Sequence, residues 1–125
     1  MNKIQYSKID HVQICVPAHS ESEAREFYLH TLGFKEISKP ESLRGSGGFW
    51  CSAGEIEVHI GLEDIKETES RRHPAFEITN LDEARKLLVE AGVKIKEEKP
   101  IPGRERYSFP DPFGNKIEFL EYKKS

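Results

Sequence analysis

Cysteine, long apolar runs and a surplus of either charge are what this sequence has little of. The two cysteines, Cys15 and Cys51, lack the spacing of a thiolate metal site and are too few for a disulfide framework. Free thiols in a reducing, cytoplasmic compartment are therefore expected. The longest apolar runs are only a few residues, so neither a helical membrane span nor a signal peptide is expected. Basic and acidic residues number 19 and 22, a net charge of −3, so no overall field draws the chain to nucleic acid or to an acidic membrane. The glycines of residues 45–48 lack the lysine and the strand-to-helix setting of a phosphate-binding loop. What is present is a 125-residue chain with seven Phe, four Tyr and 36% hydrophobic residues, enough for one core and too short for two. A single domain over residues 1–125 is expected.

The chain says nearly the same thing twice. Ile9-Asp10-His11-Val12-Gln13-Ile14 and Arg72-His73-Pro74-Ala75-Phe76-Glu77-Ile78 each set a histidine at the head of a strand-like segment. Ala24-Arg25 and Ala84-Arg85 follow thirteen and eleven residues later, and each opens an apolar helical stripe that stops at a glycine, Gly33 or Gly92. A shared start, helix and stop at a period near sixty residues reads as duplication, with repeat halves at about 9–61 and 72–121.

Within the first half, Val12, Ile14 and Val16 alternate with His11, Gln13 and Cys15, as in a half-buried strand. Ser20 and Glu23 form a capping-box pattern before a helix whose face is Ala24, Phe27, Tyr28 and Leu32. Strands are expected at 34–39, 49–51 and 56–60, with a loop at 45–48. The charged stretch 62–72 has no apolar period and suits a solvated connector. In the second half, His73, Ala75 and Glu77 share one strand face, and Pro74 suits the start of that strand. Asn80 is placed to cap a helix over Leu81, Ala84, Leu87, Leu88 and Ala91, and strands are expected at 93–97, 106–109 and 116–121.

Each half thus reads as strand, helix, then three strands. The predicted class is α+β: two βαβββ repeats forming a curved, cleft-enclosing mixed sheet with helices on the outside. The polar strand faces that line the cleft would carry His11, Gln13, Glu57, His59, His73, Glu77 and Glu118. Each also has an ordinary structural reading, since a histidine at a strand start is often a hydrogen-bonded, half-buried side chain. His19 and His30 are read as solvated. Arg44, Arg104 and Arg106 are candidates to clamp a carboxylate or phosphate, and Trp50, Phe49, Tyr107, Phe109 and Phe113 could form an apolar wall for a ligand or simply core.

Asp10-His11-Val12, Phe27-Tyr28 with Leu32-Gly33-Phe34, His73-Pro74-Ala75-Phe76, and above all Asp111-Pro112-Phe113-Gly114-Asn115-Lys116-Ile117-Glu118 resemble the vicinal oxygen chelate superfamily. That group includes glyoxalase I, the bleomycin and fosfomycin resistance proteins, extradiol dioxygenases and methylmalonyl-CoA epimerase. The resemblance runs from about Ile9 to Glu121. It implies metal ligands from the first and last strands of each repeat, which fall on His11, His73 and Glu118, with the fourth position on or beside His59. Side-chain alternation favours His59 there, because Val58 and Ile60 belong on the helix-covered face. Such a set suits Zn, Fe, Mn, Ni or Co as divalent ions with open positions for water or a bidentate oxygen substrate. Glu118 and Glu57 are the candidate catalytic carboxylates, and Gln13, Trp50, Arg104, Arg106 and Tyr107 the candidate substrate residues.

The reading favoured is a metal-dependent enzyme, a lyase, isomerase or dioxygenase acting on a small molecule with adjacent oxygens. Glyoxalase I usually has glutamate where His59 stands, which counts against that particular activity. A metal-free, ligand-sequestering resistance-type protein is the alternative from a different class. A fosfomycin-resistance-like thiol transferase ranks third, because no dense basic cluster is present to hold its anion. The resemblance also implies a homodimer, and in some members the halves are exchanged so that each metal site draws on both chains. No nucleic-acid or membrane partner is expected.

Overall fold

A computed structural model describes residues 3–66 and 70–123. Residues 67–69, in the middle of the expected connector, lie outside the described residues. The first half contains β1 (His11–Pro17), α1 (Glu21–Arg25), β2 (Lys35–Ile37), β3 (Phe49–Ala53) and β4 (Ile56–Glu63). The second contains β5 (Ala75–Glu77), α2 (Leu81–Glu90), β6 (Lys96–Glu97), β7 (Arg104–Pro110) and β8 (Lys116–Tyr122). Two four-stranded mixed sheets result, in the orders β1-β4-β3-β2 and β5-β8-β7-β6. The order is the same in both halves, as the βαβββ repeat requires, and the sheets are not closed into a barrel. In each, the first strand is parallel to the last and lies at an edge.

Alternation along the strands decides which face is core. Val16, Val58 and Cys51 are fully buried, Ile14 and Ile60 nearly so, while His11 and Gln13 on the other face of β1 are exposed. The helices and a second set of apolar side chains, Tyr107, Phe109, Ile117 and Phe119, complete one continuous apolar cluster. Burying apolar surface of this kind contributes about 25 cal/mol per Å² and is the main term holding each sheet to its helix.

Local signals were realised with three changes. Ser20 does stand before α1, but its hydroxyl donates to the Pro17 carbonyl at 2.6 Å, so the expected capping box does not form. Glu21 is occupied instead, accepting from Arg25 and from the Gly48 amide. Beyond Arg25 the helix widens into a π-type segment, Glu26–Thr31, closed by a five-residue bond from the Leu32 amide to the Phe27 carbonyl. The wider turn lets the consecutive rings of Phe27 and Tyr28 both enter the core. At α2, Asn80 makes no side-chain cap, and Glu121 of β8 accepts from the Leu81 amide at 3.1 Å. A carboxylate brought from the sheet thus serves the free amides of the first turn.

Elements also differ in extent. A 3₁₀ turn, Glu41–Ser46, runs into the loop expected at 45–48. The strand expected at 93–97 shortens to Lys96–Glu97. β5 begins at Ala75, although the Pro74 carbonyl already accepts from the Glu118 amide at 3.1 Å. Gly48 has a structural requirement of its own: at φ +79° a Cβ would lie 2.2 Å from the Ile60 carbonyl oxygen.

The turn between β7 and β8 joins the halves. Asp111, buried at 4% exposure, accepts from the Phe113 and Asn115 amides, from the Asn115 side chain and from the Tyr28 hydroxyl at 2.6 Å. The Asn115 side chain also donates to the Cys15 carbonyl of β1. Burial, reinforced by the Asp111 carboxyl, pushes the Tyr28 phenol well above its usual pKa and keeps it a donor.

Tyr28→Phe is expected to cost about 1.5–3 kcal/mol, and Asp111→Ala more, because it leaves several buried donors without an acceptor. Thermal melts, at roughly 4 °C per kcal/mol for a chain of this size, will check the order of the two. Both cysteines are free, Cys15 half-buried and Cys51 buried, and burial pushes the Cys51 thiol up to about 12. An alkylating reagent at mild alkaline pH should therefore modify Cys15 and reach Cys51 only on unfolding, as read by mass spectrometry. The contribution of Cys51 to stability is intact below the unfolded thiol value and is lost as pH rises toward the folded one.

Candidate metal and substrate site

The two strand-head histidines are held in the same way. His11 directs Nδ1 to the Asp10 carboxylate at 2.9 Å, and His73 directs Nδ1 to the Arg71 carbonyl at 2.8 Å. Both partners are acceptors, so in each neutral ring the proton sits on Nδ1 and the lone pair on Nε2. Anchoring one ring nitrogen on an oxygen so that the other is free to bind is how metal-ligating histidines are usually oriented. The hydrogen bond from His11 holds Asp10 below the usual carboxylate range.

His73 Nε2 faces the Glu118 carboxylate, with Oε1 at 3.0 Å. A lone pair and a carboxylate at that distance need a cation between them, either a proton on Nε2 or a metal ion. Two donors held about 2.1 Å from one ion at right angles are about 3.0 Å apart, so the pair fits two positions of a coordination sphere. Glu118 is buried at 5% exposure, and its second oxygen accepts from Arg106 at 3.4 Å.

In the first sheet, the register places His59 where the second sheet has Glu118: Gln13 pairs with His59 and Ala75 with Glu118, each two residues beyond its strand-head histidine. The environments differ. His59 is a buried ring between two others, stacked on Trp50 (centroids 3.7 Å, planes 4° apart) and on His11 (4.0 Å, 14°). Its Nε2 donates to Glu57 at 3.0 Å. Among the described residues no group of three or more His, Cys, Asp or Glu side chains closes on a metal-sized site. One chain therefore presents His11 with His59 and Glu57 on one sheet, and His73 with Glu118 on the other.

The candidate substrate residues separate. Arg106 reaches Glu118 and is fixed by two further bonds to the Lys99 carbonyl. Gln13 lines a cavity of about 490 Å³ that also holds Cys15, Arg72, His73, Asn115 and Lys116. Arg104 is not brought to the carboxylate; it lies over the Tyr122 ring and donates to its hydroxyl. Tyr107 is core: it is fully buried, its hydroxyl donates to the Leu81 carbonyl, and burial pushes its phenol up to about 12. Phe49 and Phe109 are core as well. Glu77 remains an exposed end of β5.

Sequence reasoning did not find Asp10 or the Arg71 carbonyl as anchors, nor Arg72 and Lys116 in the cavity. Asp10 and Arg72 each immediately precede a strand-head histidine, which was the one available signal. Among the described residues no helix is long and apolar enough to cross a membrane.

Comparison with known proteins agrees with this architecture. The family model of the Glyoxalase/Bleomycin resistance protein/Dioxygenase superfamily matches residues 8–119. A glyoxalase family protein from Bacillus anthracis is 41% identical over 97% of this chain and 99% of its own, with a TM-score of 0.91. A glyoxalase/dioxygenase from Nostoc punctiforme (19% identity, 99% of each chain, TM-score 0.81) shares the fold. So does a variant of the fosfomycin resistance protein FosX from Listeria monocytogenes, solved with Mn(II) and 1S,2S-dihydroxypropylphosphonic acid (21%, 95% of each chain, 0.78). No curated protein matches in sequence.

Nitrogen-15 NMR of chelator-treated protein should find a proton on Nδ1 of both His11 and His73, whether or not Nε2 of His73 is also protonated against Glu118. An unprotonated Nδ1 at either ring would contradict the shared anchoring.

Proposed function

Because the chain belongs to the Glyoxalase/Bleomycin resistance protein/Dioxygenase superfamily, we propose that it is a metal-dependent enzyme acting on a small molecule with adjacent oxygen atoms. The reaction class is lyase, isomerase or dioxygenase. His73 and Glu118 of one chain would hold a divalent transition metal together with His11 of a second copy. The observation that carries the reading is the His73 Nε2 to Glu118 Oε1 approach at 3.0 Å with Nδ1 already anchored. Its support from topology is that β1 and β5, which follow or carry the strand-head histidines, are both sheet edges and so can face another molecule.

When bound, such an ion polarises a carbonyl or enediolate and lowers the pKa of a ligated water. The chain's own groups supply the remainder. Arg106, already at Glu118, offers guanidinium N–H groups to an oxyanion on the substrate. Gln13, Arg72, Lys116 and Glu63 give the neighbouring cavity polar groups of both signs that can meet an oxygen-rich ligand. Glu57 is the carboxylate available as a base on the first sheet. Free thiols at Cys15 and Cys51 fit a reducing cytoplasm.

The second reading is a metal-free binding protein, favoured by the completeness of the Glu118 contacts: a protonated His73 and Arg106 would satisfy both carboxylate oxygens without an ion. The thiol-transferase reading ranks below both, since likeness to FosX at 21% identity extends to the fold alone.

Elemental mass spectrometry of untagged protein, combined with native mass spectrometry, separates these readings. About one transition metal per chain, present in a dimer and lost in a His11→Ala, Glu118→Ala double variant, is the expected result. Native protein that takes up no metal after incubation with Zn²⁺, Mn²⁺ and anaerobic Fe²⁺ would sink the enzyme reading in favour of sequestration.

A further inference from the structure

His59 occupies the strand position that holds a carboxylate ligand candidate in the other half, yet everything around it restrains the ring rather than freeing it. Both ring faces are covered, by Trp50 and by His11, with interplanar angles of only 4° and 14°. The side chain is 7% exposed, and Nε2 is engaged by Glu57. His11, in contrast, has a side chain 43% exposed, and its other restraint is a bond to the neighbouring Asp10, whose side chain is 79% exposed. A hydrogen bond between the exposed side chains of adjacent residues orders a ring weakly. The buried surface against which His11 rests is the face of His59.

We infer that His59 is a positioning residue: backed by Trp50 and fixed edge-on by Glu57, it serves as a flat plate that holds the His11 imidazole in a single orientation with Nε2 outward, and it is not itself a ligand. The physical logic is preorganisation. A ligand histidine that rotates freely gives up rotamer freedom on binding, whereas one already pinned by a parallel ring does not. The cross-strand register supplies the geometry. Trp50 and His59 are direct partners on β3 and β4, and His11 lies diagonally from His59 on β1, within the reach of aromatic cross-strand contacts. The same position in the second repeat can remain a carboxylate because β7 presents Ser108, not an aromatic, opposite Glu118.

This inference rests on the proposed metal reading for its consequence but not for its geometry, and the test keeps the two apart. Zn²⁺ affinity of the full chain would be measured by competition with a chromogenic chelator for wild type, His59→Phe, His59→Ala and Trp50→Ala. The imidazole resonances of His11 would be followed by NMR in the metal-free proteins. A phenyl ring preserves the plate and has no donor nitrogen. The expected result is that His59→Phe binds within about threefold of wild type, while His59→Ala and Trp50→Ala lose roughly 10- to 100-fold, as removal of an orienting partner typically does. In the metal-free state, the His11 ring protons should keep their ring-current shift in His59→Phe and lose it in His59→Ala. Equal loss of Zn²⁺ in His59→Phe and His59→Ala, with the His11 resonances of the former unchanged, would overturn the inference and make His59 a ligand. Unchanged affinity and unchanged His11 resonances in His59→Ala would overturn it in the other direction. If wild type binds no Zn²⁺, the metal reading fails, and the His11 resonances alone decide whether His59 holds the ring. Should His59→Ala fail to fold, Trp50→Ala supplies the same comparison with the histidine still in place.

Discussion

The carboxyl group of Asp111 is where the two halves of this protein are tied together. It closes its own turn through two backbone amides, orders Asn115, and receives the Tyr28 hydroxyl from the helix of the other repeat. Asn115 then reaches the backbone of β1 at Cys15. Each sheet could pack on its own helix by burial alone, but burial is non-directional and would not fix one half against the other. A short, buried hydrogen-bond network does, because leaving any of its donors without a partner costs more than the bond itself contributes. The strand that follows, β8, carries Lys116 and Glu118, so the same turn that joins the halves also sets where the candidate carboxylate stands.

The two repeats show how one plan accommodates two outcomes. Each starts with a histidine anchored through Nδ1, and each brings a last strand beside the first with the same register. In the second repeat the equivalent position is a buried carboxylate beside an imidazole and a guanidinium. In the first it is a ring inside a stack. The difference traces to the strand next door: an indole opposite His59 favours a flat neighbour, and a serine opposite Glu118, itself bonded to Glu98, leaves room for a charged one.

Much of the fold was legible because periodicity and turn chemistry are local. Alternation in residues 12–16 and 56–60, the glycine stops at Gly33 and Gly92, and the repeated order of elements were all readable, and the sheet topology follows them. The strand-head histidines were found through the internal repeat and Glu118 through alternation, and their role as candidate ligands came from the family resemblance. What failed was chemistry supplied from a distance. Ser20 and Asn80 look like caps in sequence, but Pro17 takes the Ser20 hydroxyl and Glu121, forty residues away, serves Leu81. Tyr107 looks like a cleft aromatic among polar neighbours, yet its hydroxyl finds a backbone carbonyl in the core. The π-type widening at Glu26–Thr31 has no compositional signature; it is chosen by the need to bury Phe27 and Tyr28 together.

Trp50 is the single indole of the chain, and its ring lies 3.7 Å from that of His59. Every photon the protein emits from tryptophan therefore originates at one cross-strand pair, one ring away from His11. The molecule carries a native optical probe at the place where its first repeat would meet a ligand, with no label to introduce and no second fluorophore of that kind to subtract.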